Sequence, residues 1–249
     1  MHWSTLVVGL VVGVLMGTFG VGGSSLATPA LSVIGVHALA AVASPLPATI
    51  PAALTALLAY RGSHATRGSA ATWTIVGGTP GVVGGALLSH VVGGRVLLLI
   101  SGLVLVAIGV RVLRPPSVSA ARRGRARQHH RAELIAAGLA IGLFTGLLAN
   151  GGGFLLVPVY LELFGLDMHE AIATSLAVVA VLSLPTLVMH WSLGHIDWAV
   201  AAAFGIGLVP ASYLGARWTK DLSGSLVERA FGWLLIAAGA AYTAWRVFG

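Results

Sequence analysis

Gly22-Gly23-Ser24-Ser25 and Asn150-Gly151-Gly152-Gly153 offer the most chemistry in this chain, because each interrupts a long apolar run. A break deep in a membrane leaves backbone groups that cost on the order of several kcal/mol unless protein, water or a ligand satisfies them. A helix resuming after the break turns its N–H groups and positive dipole end toward the occupant, which favours an anion. A purely structural kink is the competing reading. Neither stretch has the GxxxxGK[ST] spacing of a phosphate-binding loop.

Hydroxyls follow each break. Ser44, in Ser44-Pro45-Leu46-Pro47, and the pair Thr174-Ser175 are candidate donors to an anion cavity, in competition with bonding back to their own helices. Asn150 has no counterpart, since Val21 stands at the matching position, so the cavity is expected to be asymmetric. The candidate substrate-binding set is therefore Gly22, Gly23, Ser24, Ser25, Ser44, Asn150, Gly151, Gly152, Gly153, Thr174 and Ser175.

Nothing in the apolar runs forms an acid–base dyad, so neither catalytic residues nor an enzyme are expected. Glu162, Asp167 and Glu170, with His169, suggest proton transfer or metal binding, but a solvated loop accounts for them. His37, His64, His90, His190 and His195 are scattered near the ends of runs, and no repeated ligand set accompanies them, so no metal or cofactor is expected. The absence of cysteine excludes a disulfide framework and a thiolate nucleophile. Asp197, in Gly194-His195-Ile196-Asp197-Trp198, is placed to cap the next helix, with His195 beside it as a pH-sensitive group.

The chain that must position these groups has 249 residues, 57% hydrophobic and 8% charged, where a soluble domain carries about a quarter charged residues. Residues 1–60 contain no Lys, Arg, Asp or Glu. The uncharged segments are mostly long enough for the roughly 20 apolar residues of a spanning helix. The expectation is an all-α polytopic membrane protein of two homologous halves. Eight spans parse at 4–30, 37–58, 70–89, 94–112, 133–160, 168–189, 196–216 and 226–246, the first and fifth broken by glycines. The first run has no basic region before it and is too long for a signal peptide, so it reads as a retained helix. Residues 1–112 form the first membrane repeat, 113–131 a basic linker that starts near Pro115-Pro116, and 132–249 the second repeat.

The repeat is legible in the helix breakers. Gly9, Gly13, Gly17, Gly22, Gly23 and Pro29 recur 129 positions on as Gly138, Gly142, Gly146, Gly151, Gly152 and Pro158. After one insertion the offset is 130, pairing Gly35 with Gly165, Ser44 with Thr174, Pro45 with Ser175, Pro80 with Pro210 and Gly85 with Gly215. The Gly-x3-Gly-x3-Gly stripes allow close helix packing and are expected to hold the site together without touching its ligand. Two similar halves form sites at their interface in transporters and rock about them, here by alternating access. Four crossings per half would make the repeats parallel, whereas re-entrant pairs of half-helices at the breaks would invert them.

Net charge is +7, which raises a nucleic-acid partner, but the arrangement argues for membrane topology instead. Arg111, Arg114, Arg122, Arg123, Arg125, Arg127 and Arg131 gather around one connection, where they suit a cytoplasmic face and anionic lipid headgroups. The eight-span parse puts the N-terminus, Arg61, Arg67, the linker arginines and Arg246 in the cytoplasm, against Arg95, Arg217, Lys220 and Arg229 outside. Trp3, Trp73, Trp191, Trp198, Trp218 and Trp245 fall near predicted span ends, as interfacial anchors do.

These residues also resemble the TauE/SafE family of sulfite and organosulfur-anion exporters. The resemblance rests on Gly17 to Pro29, Gly146 to Pro158, the Gly194 to Trp198 turn and small pairs such as Gly84-Gly85, and covers the chain apart from the basic linker. It implies secondary export of a small anion, sulfite or an organosulfonate, across a plasma membrane. An anion channel, or an uptake carrier for another small carboxylate or sulfur compound, is the alternative. Proton coupling and a homo-oligomer are both compatible with this reading.

Overall fold

The computed structural model describes residues 2–60, 66–88, 94–113, 131–148 and 153–248, and the described elements are helices joined by turns. In chain order they are α1 (His2–Phe19), α2 (Gly23–Val33), α3 (Ala38–Ala43), α4 (Leu46–Ala59), α5 (Gly68–Leu88), α6 (Gly94–Leu113), α7 (Arg131–Leu148), α8 (Gly153–Glu162), α9 (Met168–Ser192), α10 (Trp198–Thr219) and α11 (Gly224–Phe248). The all-α polytopic expectation is met. Residues 39–59, 68–88, 168–192 and 198–219 are long and apolar enough to cross a bilayer. Large apolar side chains such as Val76, Ile206, Leu214 and Trp233 lie on the outside, as lipid-facing residues do.

The glycine stripes set the register of the bundle. Along α1, Gly9 faces the backbone of Phe204, Gly13 that of Leu208 and Gly17 that of Ser212, so α1 and α10 run parallel with their backbones in contact. Along α7, Gly138 faces Thr74, Gly142 faces Gly78 and Gly146 faces Val82, which makes α7 and α5 parallel in the same way. A Cβ at any of these six glycines would overlap the facing helix, which explains the small-residue spacing. By contrast, Gly109 of α6 faces Gly232 and Ile236 of α11 while Gly232 faces Leu113, so this pair is antiparallel.

These registers fix where the breaks turn. Next to α10, Ala48 meets Gly205, and Ser212 Oγ donates to the Ala52 carbonyl at 3.0 Å, so α4 runs with α1 and α10. Gly17 reaches the level of Ser212, yet Gly23, which opens α2, lies back beside Met16, Thr49 and Leu208. The chain has reversed at Gly20, whose φ of 67° is a left-handed conformation that a glycine adopts without strain. The first predicted span is therefore a hairpin, α1 and α2, returning toward the end it entered by.

The fifth does the same from the opposite end. Arg131, at the start of α7, stacks over Trp73 near the start of α5, with its guanidinium 5.0 Å from the ring centroid. At the far end of α8, Glu162 pairs with Arg111 at 2.8 Å, and the backbone N–H of Arg67, before α5, donates to Thr174 Oγ1 at 3.2 Å. The starts of α5, α7 and α9 and the ends of α6, α8 and α10 thus share one end of the bundle, here called the linker end. The starts of α1, α3 and α10 lie at the other. The start of α1 lies at the end opposite the end of α6 and the start of α7, and Arg217, Lys220 and Arg229, at the α10–α11 turn, lie at the linker end. This arrangement differs from the eight-span parse, which counts each broken run as a crossing.

Candidate functional site

The two breaks meet inside the bundle. A Cβ on Gly153 would overlap the amide nitrogen of Gly22 and lie within 3.0 Å of the Gly20 carbonyl oxygen, so the start of α8 sits directly on the α1–α2 turn. Ser175 ties the contact together. Its buried hydroxyl donates to the Gly20 carbonyl at 2.9 Å and is 3.5 Å from that of Gly153. One side chain from α9 thereby engages both breaks.

The N-terminus of α2 opens at this junction. Gly22 is its N-cap residue, without a side-chain cap, and the Ser25 N–H bonds the Gly22 carbonyl at 3.1 Å. Gly23 has Thr49, Met16 and Leu208 close around it, and Ser24 is fully buried with its carbonyl taken by Thr28 Oγ1. Ser25 is 5% exposed, and its hydroxyl has no hydrogen-bond partner among the described residues. A buried hydroxyl left unmade costs about 1–3 kcal/mol, so a free donor in the first turn of a half-helix is an expensive feature to keep. Together with the helix dipole it gives the first turn of α2 partial positive charge and a donor without any formal charge. Among the described residues, the charged side chains that bear on this arrangement lie at or near helix ends instead.

The structure separates the predicted set. Gly22, Gly23, Ser24, Ser25, Gly153 and Ser175 belong to the junction. Asn150, Gly151 and Gly152 lie outside the described residues. Ser44 and Thr174 do other work: Ser44 Oγ accepts the Asp197 N–H at 3.0 Å before α10, just as Thr174 Oγ1 accepts the Arg67 N–H before α5. Each hydroxyl accepts from the backbone at a helix start of the other half, and Thr174 does so next to Ser175.

Asp197 caps α10 as expected, accepting from the N–H groups of Ala199 and Val200 at 2.9 and 3.1 Å. Asp167 caps α9 through the Glu170 N–H at 2.9 Å, a role signalled by its Asp-x-x-Glu spacing. Glu170 pairs with Arg67 at 3.0 Å, and His169 Nε2 lies 3.2 Å from the Thr219 carbonyl, so this cluster is structural. His190 and His195 come together with their Nδ1 atoms 3.3 Å apart. No group of three metal-ligating side chains forms among the described residues. Sequence reasoning missed the buried neighbours Thr74 and Tyr160, and Ser183, whose buried hydroxyl has no partner among the described residues.

An all-helical bundle with a lipid-facing exterior and glycine-broken hairpins joined at its centre defines a polytopic membrane protein of the transporter class. Residues 5–242 match the family described as Sulfite exporter TauE/SafE, and the chain belongs to that family. It is similar to a "Probable membrane transporter protein" of Xylella fastidiosa (strain 9a5c), with 32% identity covering 96% of this chain and 93% of that one. It is also similar to "Probable membrane transporter protein YjnA" of Bacillus subtilis (strain 168), with 24% identity covering 96% and 98%. No solved structure gives a significant match. The protein is a multi-pass membrane transporter by family, not an enzyme.

Proposed function

We propose that this protein exports a small anion, sulfite or an organosulfonate, across the plasma membrane by alternating access between two inverted halves. The observation that carries this reading is the junction where Gly153 rests on Gly20–Gly22, near the start of α2 whose Ser25 hydroxyl has no partner among the described residues. Half-helix N-termini placed at such a break are suited to an oxyanion and offer nothing to a cation.

Inversion is supported by the antiparallel α6–α11 pair, whose members occupy equivalent places in the two sequence repeats. Residues related by the repeat offset also make matching contacts across the halves, as Gly9 with Phe204 and Gly138 with Thr74 illustrate. The linker end carries Arg67, Arg111, Arg131, Arg217, Lys220 and Arg229, whereas Arg95 and Arg246 fall on helix ends opposite. That bias puts the linker end in the cytoplasm and the N-terminus outside. An anion leaving an inside-negative cell needs no buried cation to draw it outward.

The test is uptake of labelled sulfite by proteoliposomes containing purified protein, with sulfate, acetate and sulfoacetate as competitors and an imposed proton gradient as a variable. Saturable, trans-stimulated sulfite movement with selective competition is the expected result. Non-saturating flux would point to a channel, and no flux of any of these anions in folded protein would overturn the assignment.

A further inference from the structure

Arg217 and Asp221 share the wall of a groove on the outside of the bundle. The groove holds about 550 Å³ along the seam of α1 and α10 and is lined by Val14, Leu214, Gly215, Arg217, Trp218 and Asp221.

It exists because the two helices end at different levels. Gly17 faces Ser212, so α1, which stops at Phe19, ends near the level of Leu214. There the chain reverses at Gly20, while α10 runs on to Thr219, roughly 7 Å further toward the linker end. The last turn of α10 is left without α1 beside it, with Leu214 62% and Trp218 76% exposed.

The charges in the groove are unmatched. At the same end of the bundle, Arg67 and Arg111 each hold a carboxylate, at 3.0 and 2.8 Å. Arg217 and Asp221 make no ion pair with one another or with any other group among the described residues. The fold does not demand them either. The repeat offsets carry Val14, Leu214 and Gly215 to Leu143, Gly84 and Gly85, on the matching seam of α7 and α5, and carry Arg217 and Trp218 to Leu87 and Leu88. Both of those leucines are exposed, so an apolar helix end serves at the equivalent place. The cation, the carboxylate and the indole belong to this one groove.

Residues 198–219 are long and apolar enough to cross the bilayer. Arg217, Trp218 and Asp221 therefore stand at the level of the lipid headgroups, where an indole is at home, with Val14 and Leu214 below them at the level of the acyl chains.

We infer that the groove binds a phospholipid with a zwitterionic, primary-amine headgroup, the chemistry of phosphatidylethanolamine. The Arg217 guanidinium suits the phosphate oxygens through paired N–H donors. The Asp221 carboxylate accepts from the ammonium, and an acyl chain lies against Val14, Leu214 and Gly215. An anionic headgroup without an amine would satisfy Arg217 but set its negative charge beside Asp221. A choline headgroup has no N–H to give Asp221. The inference does not depend on which substrate is carried.

The test is native mass spectrometry of the delipidated full chain in detergent, offered phosphatidylethanolamine, phosphatidylglycerol and phosphatidylcholine with identical acyl chains. Phosphatidylethanolamine should be retained about tenfold better than phosphatidylcholine, the worth of one charge-assisted hydrogen bond. Asp221→Asn should abolish that preference while phospholipid still binds, Arg217→Gln should weaken all three lipids, and Leu87→Ala on the matching seam should leave the preference intact. Melting supplies a second measurement: phosphatidylethanolamine should raise the midpoint of the parent and not that of Asp221→Asn. Equal retention of the three lipids, better retention of phosphatidylglycerol, or an ethanolamine preference that survives Asp221→Asn would overturn the inference. A dimer that Trp218→Ala dissolves and added lipid does not would overturn it too, because a second copy of the chain would then fill the groove.

Discussion

Ser44 on the loop into α4 accepts the backbone N–H of Asp197 at 3.0 Å, so a hydroxyl of the first half anchors the start of a helix in the second. Its repeat partner Thr174 accepts the N–H of Arg67 at 3.2 Å, anchoring a first-half helix from the second. Ser44→Ala leaves the Asp197 N–H without this acceptor, at a cost of about 1 kcal/mol. The expected outcome is a lower unfolding midpoint in detergent, restored by Ser44→Thr, with sulfite KM unchanged. A raised KM at an unchanged midpoint would return Ser44 to the substrate site.

Gly153 tests the junction. Its α-hydrogen side faces the backbone of Gly20, Val21 and Gly22, none of which is a flexible side chain that could yield. Gly153→Ala must therefore push the two hairpins apart. Gly84 is the control, since a Cβ there meets only Leu143 Cδ1 at 3.9 Å and replaces a helical glycine with a better helix former. Thermal melting together with flux should show Gly153→Ala losing at least tenfold in transport, and Gly84→Ala unchanged or slightly more stable. Near-normal transport in Gly153→Ala would mean that the hairpin contact is not part of the working site.

Much of this was readable in the sequence, and what was not has a physical cause. The stripes Gly9-Gly13-Gly17 and Gly138-Gly142-Gly146 announced close helix packing, and that is their role. Their partners could not be read, because a small residue states how near a neighbour comes and not which helix supplies it. The breaks after Gly17 and Gly146 were visible for the same composition, but a glycine that permits a kink equally permits a reversal. Only the return of Gly23 to the level of Met16 and Leu208 distinguishes the two. On that one ambiguity turns the end of the bundle to which Arg217, Lys220 and Arg229 are assigned. Ser44 and Thr174 each accept from a helix start, and in the sequence a hydroxyl after a break reads the same whether it donates to a ligand or accepts from a neighbouring helix.

Ser175 separates support of the junction from its chemistry. The buried hydroxyl donates to the Gly20 carbonyl at 2.9 Å. Ser175→Ala leaves that carbonyl unpaired, with a penalty of about 1–3 kcal/mol. Ser175→Thr keeps the donor. Sulfite flux normalised to folded protein should fall in the alanine variant and recover largely with threonine. Equal losses in both would indicate that volume at this site matters and the hydrogen bond does not.

Two ion pairs cross between the halves at the linker end, Arg67 with Glu170 at 3.0 Å and Arg111 with Glu162 at 2.8 Å. The arginine side chains are 58% and 72% exposed, so each pair contributes only about 0–1 kcal/mol to folding, less at high salt. Glu170→Gln and Glu162→Gln should therefore scarcely move the melting temperature. The proposed alternating access would make the same pairs consequential, because rearrangement of the halves at that end would have to separate them. Removing both should speed linker-side opening by up to about tenfold, since 1.4 kcal/mol corresponds to a factor of ten. Single-turnover flux started from the linker face measures this, and the charge swap Arg111→Glu with Glu162→Arg should bring the rate back toward that of the parent. An opening rate indifferent to neutralisation, to the swap and to salt would mean that the linker-end contacts of α5 with α9 and of α6 with α8 stay together throughout the cycle, and that the halves part elsewhere.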